Sequence, residues 1–397
     1  MTAPAQRPSI QDSAFPLVFP VAPDSFPGDS SVTTPDQATV RIRARALCGM
    51  QKEAVAQYGP TGATWRLVCD EGPWLNGTDL APFPLAYFCA GLAGSYLSEY
   101  MAEAKERMIP VTRLELRLDN YFTMEGSALK GTMSAGVEPI QVRFDVDGDA
   151  SQAELHDIAD IAVNDRSPAG GILGIELESQ FAVRANDEGM PDPGTLSASL
   201  MTVADPAGAM DDCRPTGDES LVENIIVKDE SAAEPDAGDG AAGLKPEQKR
   251  TVHVSTCARV RGDGLKELAV QCIRPAGSRF LMLCDDSPDR GGQGRAPDPL
   301  TYLSCGVAFC YMTQIGRYAQ IVRQKLHDFR IVQDTCFGFG PEQPPVAAAV
   351  ETLVCLDTDE LADASRRLVQ MAEQTCYVHA AFRLPTGIEL ILTPDST

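Results

Sequence analysis

Two kinds of hydrophobic pattern alternate along this chain, and both recur in the same order in its two halves. In the first kind, apolar and polar residues alternate singly, as in ATVRIRARAL, where Val40, Ile42 and Ala44 oppose Arg41, Arg43 and Arg45. Side chains two apart share a face of a strand, so this pattern predicts a half-buried β-strand. TVHVSTCARV holds the same place in the second half. In the second kind, Leu85, Phe88, Cys89, Leu92 and Tyr96 recur at helical spacing, as do Leu300, Leu303, Val307 and Tyr311. The other faces of these segments are also small or apolar, which predicts helices buried on all sides. Pro84 and Pro299 suit the first helical turn, where a missing N–H costs nothing. The helices are predicted to reach about 108 and 326. Strands follow at 112–121 and 139–146, and again at 329–337 and 346–356. Second helices are expected near 151–163 and 358–374, each opening on Ser or Thr with acidic residues in its first turn, the pattern of a capping box. Strands within 171–183 and 388–392 close the halves.

The recurrence is a sequence repeat. CDEGPWLNGTDLAPFPLAYFCAGLAGSY aligns with CDDSPDRGGQGRAPDPLTYLSCGVAFCY without a gap, at a constant offset of 215 that takes Cys69 to Cys284 and Tyr96 to Tyr311. Asp70/Asp285, Pro73/Pro288, Gly77/Gly292, Pro82/Pro297, Pro84/Pro299, Tyr87/Tyr302 and Gly91/Gly306 are among the identities. Two copies so far apart mean a duplicated domain, not a solenoid. Each copy reads as α+β with mainly antiparallel strands. The boundaries are an extended Pro- and Ser-rich arm over 1–35, a first domain over 36–205, an acidic flexible linker over 206–249 and a second domain over 250–397. Helices too apolar to face water predict that the copies pack as a pseudo-two-fold pair around them.

Composition narrows the function. The 397 residues carry 56 Asp plus Glu against 33 Lys plus Arg, a formal charge of −23. That field opposes binding to nucleic acid or an anionic membrane. No apolar run is long enough to span a bilayer, and the N-terminus lacks a basic segment followed by an apolar one. A cytoplasmic location is expected, with the 12 cysteines as thiols. They form no Cys-x-x-Cys pair and no Cys/His cluster at zinc spacing, so neither a metal nor a cofactor is expected.

Two of these cysteines stand out by context: Cys310 on the second buried helix, in DPLTYLSCGVAFCYM, and Cys376 at the end of a later helix, in MAEQTCYVHAAF. Most others, among them Cys69, Cys89, Cys284, Cys305, Cys336 and Cys355, read as small buried hydrophobes. At this point the chain resembles the OsmC/Ohr family of thiol-dependent hydroperoxide reductases. There a helix opens on Asn-Pro-Glu-Glu-Leu and reaches a reactive cysteine about three turns on, and a second cysteine, commonly as Cys-Pro, ends a later helix. Asp298-Pro299-Leu300 to Cys310 matches the first element, and Glu373-Gln374-Thr375-Cys376 the second, with Tyr377 in place of proline.

The resemblance implies two OsmC-like domains forming an intramolecular pseudo-dimer, open to further homo-oligomerisation. Cys310 would be the attacking thiol and Cys376 the resolving one, with Cα atoms about 4.4–6.8 Å apart when joined. The family's loop arginine falls on Arg290, with Arg295 competing. The substrate would be a small apolar hydroperoxide and the reductant an external dithiol. Leu300 and Thr301 occupy the place of the family's acidic residue, so Arg290 would either borrow a carboxylate from copy one, with Glu99 or Glu103 as candidates, or swing to solvent. Copy one has Ser95 for Cys310, Leu75 for Arg290 and no cysteine at 164–168, and reads as silent.

Other residues stay open. His327 and His379 could assist or be structural. Arg41, Arg43 and Arg45 read as a solvated strand face that could instead reach the other copy's thiol. Gly291-Gly292-Gln293-Gly294 lacks the lysine and context of a phosphate loop. Two rival functions remain: a cysteine nucleophile acting on an electrophilic carbon of an aromatic or ketone metabolite, and a non-catalytic ligand-binding protein.

Overall fold

The computed structural model describes residues 8–13, 15–26, 37–173, 176–177, 179–189, 196–216, 224–231, 248–340, 343–347 and 350–392. Its strands are β1 (Val18–Val21), β2 (Gln37–Ala46), β3 (Lys52–Tyr58), β4 (Ala63–Cys69), β5 (Val111–Gly126), β6 (Ser134–Val137), β7 (Ile140–Gly148), β8 (Ser179–Ala185) and β9 (Glu188–Gly189). The second half adds β10 (Ile226–Glu230), β11 (Gln248–Val260), β12 (Lys266–Arg274), β13 (Arg279–Cys284), β14 (Leu326–Gly340), β15 (Gln343–Ala347), β16 (Val350–Thr358) and β17 (Ile388–Leu392). The principal helices are α1 (Pro84–Glu106), α2 (Gln152–Asp160), α3 (Pro299–Val322), α4 (Ala362–Thr375) and α5 (Tyr377–Arg383).

The α+β expectation holds, and the copies are interwoven rather than side by side. One sheet runs β1-β4-β3-β2-β14-β16-β8-β9 with β15 beside β14, and the other runs β10-β13-β12-β11-β5-β7-β17 with β6 beside β5. Each therefore joins an N-terminal hairpin from one copy to the later strands of the other. Ala44 faces Ile331 where β2 meets β14, and Ala258 faces Leu116 where β11 meets β5, both antiparallel. Each copy's last strand also crosses over. β8 lies parallel to β16, and β17 lies parallel to β7. The sequence units 36–205 and 250–397 are thus not separate bodies in space.

The two sheets sandwich α1 and α3, with α3 on β2, β3 and β14 and α1 on β5, β11 and β12. Both helices are buried from their first turn, including Tyr87, Phe88, Leu92, Tyr302, Val307 and Phe309 at 0% exposure. They cross where each carries a glycine. A Cβ on Gly91 would lie 2.5 Å from the Leu303 backbone nitrogen, and one on Gly306 would press as hard on Phe88. Only hydrogen fits at either place. Because Gly91 meets Leu303 and Gly306 meets Phe88, the helices run in opposite senses through the crossing, and a pseudo-two-fold axis passes between them.

Local details depart from the sequence reading at several places. Ser151 and Glu154 form the expected capping box. Thr358 instead ends β16, and α4 starts only at Ala362, capped by Leu361 without a side-chain bond. The segment Ile161–Arg166 widens into a π-helical turn. Part of the arm is ordered, with β1 pairing on β4, and part of the linker is too, with β10 pairing on β13. The acidic, alanine-rich end of the linker, 232–247, lies outside the described residues, as do 1–7 and 27–36 of the arm. Residues 196–216 lie over the outer face of the first sheet, where Leu196 and Leu200 cluster with Val332 and Leu353. This cover corrects the reading of the β2 arginines as solvated. Arg43 is 1% exposed and bonds Asp334 at 2.9 Å, and Arg45 reaches Glu53 at 2.6 Å and Asp211 at 2.7 Å. These bonds tie the cover and the two copies together and do not involve the thiols.

Gly306→Ala is expected to lower unfolding free energy by about 1–3 kcal/mol, the usual cost of forcing a methyl into a packed contact. Gly262→Ala, where a Cβ meets nothing within 4 Å, should stay within about 0.5 kcal/mol of the parent. Denaturant titration of both variants checks this, and equal stability would remove the crossing from its central place.

Candidate functional site

Cys376 sits in the break between α4 and α5, with extended backbone at φ −79° and ψ 122°. The chain turns there because α4 has spent its amphipathic face on α3, with Leu368, Val369, Met371 and Ala372 buried. The turn brings the Cys376 thiol into the neighbourhood of Cys310, three turns into α3, close enough for each thiol to influence the other's charge. Both are free thiols in the structure. Cys310 keeps a 2% exposure while Cys376 has none. Burial pushes the Cys376 thiol well above its ordinary range, and the Cys310 contact pushes the same way. Backbone N–H groups of Val378 and His379 at the start of α5 oppose that rise. The Nδ1 of His379 lies 3.1 Å from Cys376 Sγ.

The crossing decides which loop serves which helix. On α3, the Thr313 hydroxyl donates to Glu71 Oε1 at 2.5 Å, and Lys52 Nζ lies 3.9 Å from the same oxygen. Thr313 and Glu71 belong to different copies. The same arrangement recurs across the axis, where Ser98 on α1 donates to Asp286 Oδ1 at 2.6 Å and Lys266 bonds Asp286 at 2.7 Å. Each copy's loop thus tends the other copy's helix.

Arg290 follows its loop. It pairs with Glu99 on α1, the carboxylate offered as its partner on sequence grounds. That pair stands one turn beyond Ser95, away from Cys310. Gly94 packs on Pro299, so Ser95 lies level with the start of α3, and by symmetry Cys310 lies level with the start of α1. From Pro84 to Ser95 is about 16 Å of helix at 1.5 Å per residue. The assignment of Arg290 to Cys310 is corrected on this ground, since the loop that faces Cys310 is copy one's, and it carries Leu75. Arg295 is spent on Asp285 at 2.9 Å. His327 meets Asp359 at the surface, at 3.1 Å.

Arg317 lies seven residues further along α3 than Cys310, on the same helical face, and the two interact electrostatically. Burial and the neighbouring Arg250 guanidinium push its pKa down to about 10, while Tyr377, Glu71 and Cys310 hold it up. Arg250, on β11, donates from Nε to the Tyr377 hydroxyl at 3.1 Å. Burial raises Glu71, with Lys52, Thr313 and Arg317 opposing. Lys52 and Met312 also line a cavity of about 330 Å³, with Met50, Gly316 and Phe329. Among the described residues no group of His, Cys, Asp or Glu could hold a metal ion, and no helix is long and apolar enough to cross a membrane.

Copy one keeps the geometry with oxygen in place of sulfur. Ser95 Oγ and Ser167 Oγ are 2.8 Å apart. Ser167 caps the short helix Pro168–Gly171 as Cys376 precedes α5, so Ser167-Pro168 is the counterpart of Cys376-Tyr377. The constant offset hides this, because six residues separate the two copies' numbering there from the 215 of the helices (376 − 167 = 209). Arg317 was legible as an arginine two turns beyond a cysteine, but the family comparison drew attention to the loop instead.

Asp298 shows how burial loads this region. Its carboxylate accepts from the Leu300 and Thr301 amides at 3.0 and 3.1 Å and from the Thr301 hydroxyl, yet burial pushes its pKa up to about 6. The folded value lies above the unfolded one, so the folded chain holds an extra proton between about pH 4 and 6, and this group's contribution falls as pH rises through that window. A displacement of that size corresponds to about 3 kcal/mol. Asp298→Asn should therefore gain about 1–3 kcal/mol over the parent at pH 7 and nothing near pH 3.5, read from denaturant titrations at both pH values.

Comparison with known proteins bears on the whole arrangement. The profile of the OsmC-like protein family matches twice, over residues 77–179 and 292–391. The chain is similar to the crystal structure of an OsmC-like hydroperoxide resistance protein from Jannaschia sp. CCS1. Identity is 23%, the match covers 37% of this chain and 95% of that one, and the TM-score is 0.25. No curated protein matches the chain.

Proposed function

The chain belongs to the OsmC-like family, as a tandem of two OsmC-like domains, and from that premise we propose that it reduces organic hydroperoxides through Cys310 and Cys376. The observation that carries this reading is the interaction between two thiols from different helices, with Arg317 acting electrostatically on the more exposed one. The Cys310 thiolate attacks the distal oxygen of the hydroperoxide. An S–O bond forms, the O–O bond breaks, and the alkoxide leaves and takes a proton from water as the alcohol. Cys376 then displaces hydroxide from the sulfenic acid to give a disulfide and water. An external dithiol returns both thiols by exchange and is itself oxidised to a disulfide.

Residues from both copies contribute. Arg317 balances the thiolate charge, and Glu71 and Lys52, from copy one, hold the surrounding charges through Thr313 and Arg317. The cavity of about 330 Å³ beside them suits a small organic group. The Ser95–Ser167 pair cannot cycle between thiol and disulfide, so one chain carries one redox centre.

Cumene hydroperoxide consumption with dithiothreitol as reductant tests this. Cys310→Ser should abolish it. Cys376→Ser should reduce about one equivalent and stop, leaving a sulfenic acid on Cys310 in the intact mass. Arg317→Met should slow the first step about 10–100-fold, since a nearby positive charge favours the thiolate that attacks. Arg290→Ala should leave the rate within about twofold of the parent, because a charge some 16 Å away across α1 is largely screened. Undiminished turnover in Cys310→Ser, or no disulfide between Cys310 and Cys376 by peptide mapping, overturns the reading. Turnover that persists unchanged in Cys376→Ser would mean that the external dithiol reduces the Cys310 sulfenic acid directly, and would remove Cys376 from the cycle.

A further inference from the structure

We propose that His379 is the proton acceptor for Cys376 in the step that closes the disulfide, an inference that rests on the two-thiol reading above. Its Nδ1 stands 3.1 Å from Cys376 Sγ, and Cys376 in turn interacts with the Cys310 thiol. His379 is fully buried, and its Nε2 has no hydrogen-bond partner among the described residues. Phe181 from β8, Tyr311 from α3 and Phe382 hold the ring on its other sides, with centroids 5.5, 5.2 and 6.1 Å away. A histidine so placed is wedged by aromatic rings against one atom, the sulfur that must lose a proton.

The other copy supplies the contrast. Ser167 corresponds to Cys376, and the residue three further on is Gly170, where His379 stands in copy two. A Cβ on Gly170 would lie 2.8 Å from the Val163 carbonyl and 3.0 Å from Tyr96, so no imidazole fits there. The histidine is present where the sulfur is and excluded where it is not.

The step balances as follows. The Cys376 S–H proton passes to His379 Nδ1 as the new S–S bond forms on Cys310. The S–O bond breaks, and the expelled hydroxide takes up the proton that His379 releases. Sulfenic acid and thiol become disulfide and water. The imidazole is neutral over the working range, because burial, aided by Arg383, presses its pKa down to about 3. Its lone pair is therefore available, and it holds a proton only in passing. Besides Cys376, the titratable groups facing the ring are Tyr311 from α3 and Arg383 from its own helix; β8 contributes only Phe181.

His379→Phe keeps the aromatic packing, and His379→Asn keeps a hydrogen bond without a basic nitrogen. Single-turnover mixing with cumene hydroperoxide, quenched with dimedone, separates sulfenic acid formation from its loss. Both variants should form sulfenic acid at the parent rate and, at pH 6, close the disulfide about 100-fold more slowly, the usual worth of a positioned base. Between pH 5 and 8 the closing rate should be flat in the parent and rise about tenfold per pH unit in the variants, where only free thiolate attacks. Parent-like closing, or a parent-like flat profile, in both variants overturns the proposal. So does loss of the first step in folded variants. Diamide provides an oxidant independent of hydroperoxide: it is reduced to the hydrazine as Cys310 and Cys376 couple by the same displacement. If the parent ignores hydroperoxides, the peroxidase reading has failed, and the diamide rates still decide the role of His379.

Discussion

The structure depends on one close approach. Gly91 and Gly306 let the backbones of two apolar helices meet with no side chain between them. Neither helix could face water, and neither could come so close to its partner with a methyl in place of hydrogen. The crossing sets the pseudo-two-fold axis, and the axis sends each N-terminal loop to the other copy's helix. It also stacks sheet, helix, helix and sheet into one continuous core, so that Cys310 and Cys376 lie deep between layers rather than on a rim. Burial on that scale raises Cys376, Tyr302 and Asp298 towards their neutral forms.

The same symmetry has been used asymmetrically. Ancestrally equivalent places now hold sulfur in one copy and oxygen in the other. The arginine–carboxylate pair Arg290–Glu99 has stayed with the oxygen pair, where no thiolate needs it. The sulfur pair has its cation from Arg317 on its own helix. Across the axis, residue 102, Arg317's counterpart, is alanine, and Gln314 stands opposite Glu99. The two centres thus carry different charges on related frameworks.

Much of this was legible in the sequence. The gapless repeat from Cys69 to Tyr96 and from Cys284 to Tyr311 revealed the duplication, and the all-round apolarity of the helices revealed that they meet. The pairing of Cys310 with Cys376 came from the resemblance to the OsmC/Ohr family and not from spacing or periodicity. What remained hidden depended on three-dimensional exchange. Alternation along β2 marks the faces of a strand but does not say that residues 196–216 lie over one of them, so Arg43 and Arg45 read as exposed. Loop order placed Arg290 ahead of Cys310 in the chain, and only the crossing shows that the loop turns to the other helix. His379 was visible as a residue three positions from Cys376, but a lone histidine has no direction until α5 fixes it.

The exchange of strands also dictates when the molecule can first exist. β2 pairs with β14, placing Ala44 opposite Ile331, and β8 pairs with β16. On the ribosome, β2 emerges with an open edge and must wait for nearly 290 further residues (331 − 44 = 287) before its partner is made. At about 5–20 residues per second that wait is roughly 15–60 s. During it the nascent chain exposes unpaired strands and an apolar helix with nothing to cross. The part of the chain already made has an acidic excess, which repels its neighbours on the same message. The acidic stretch between the copies emerges before the second half, and so it screens the chain through the interval in which it is most prone to stick.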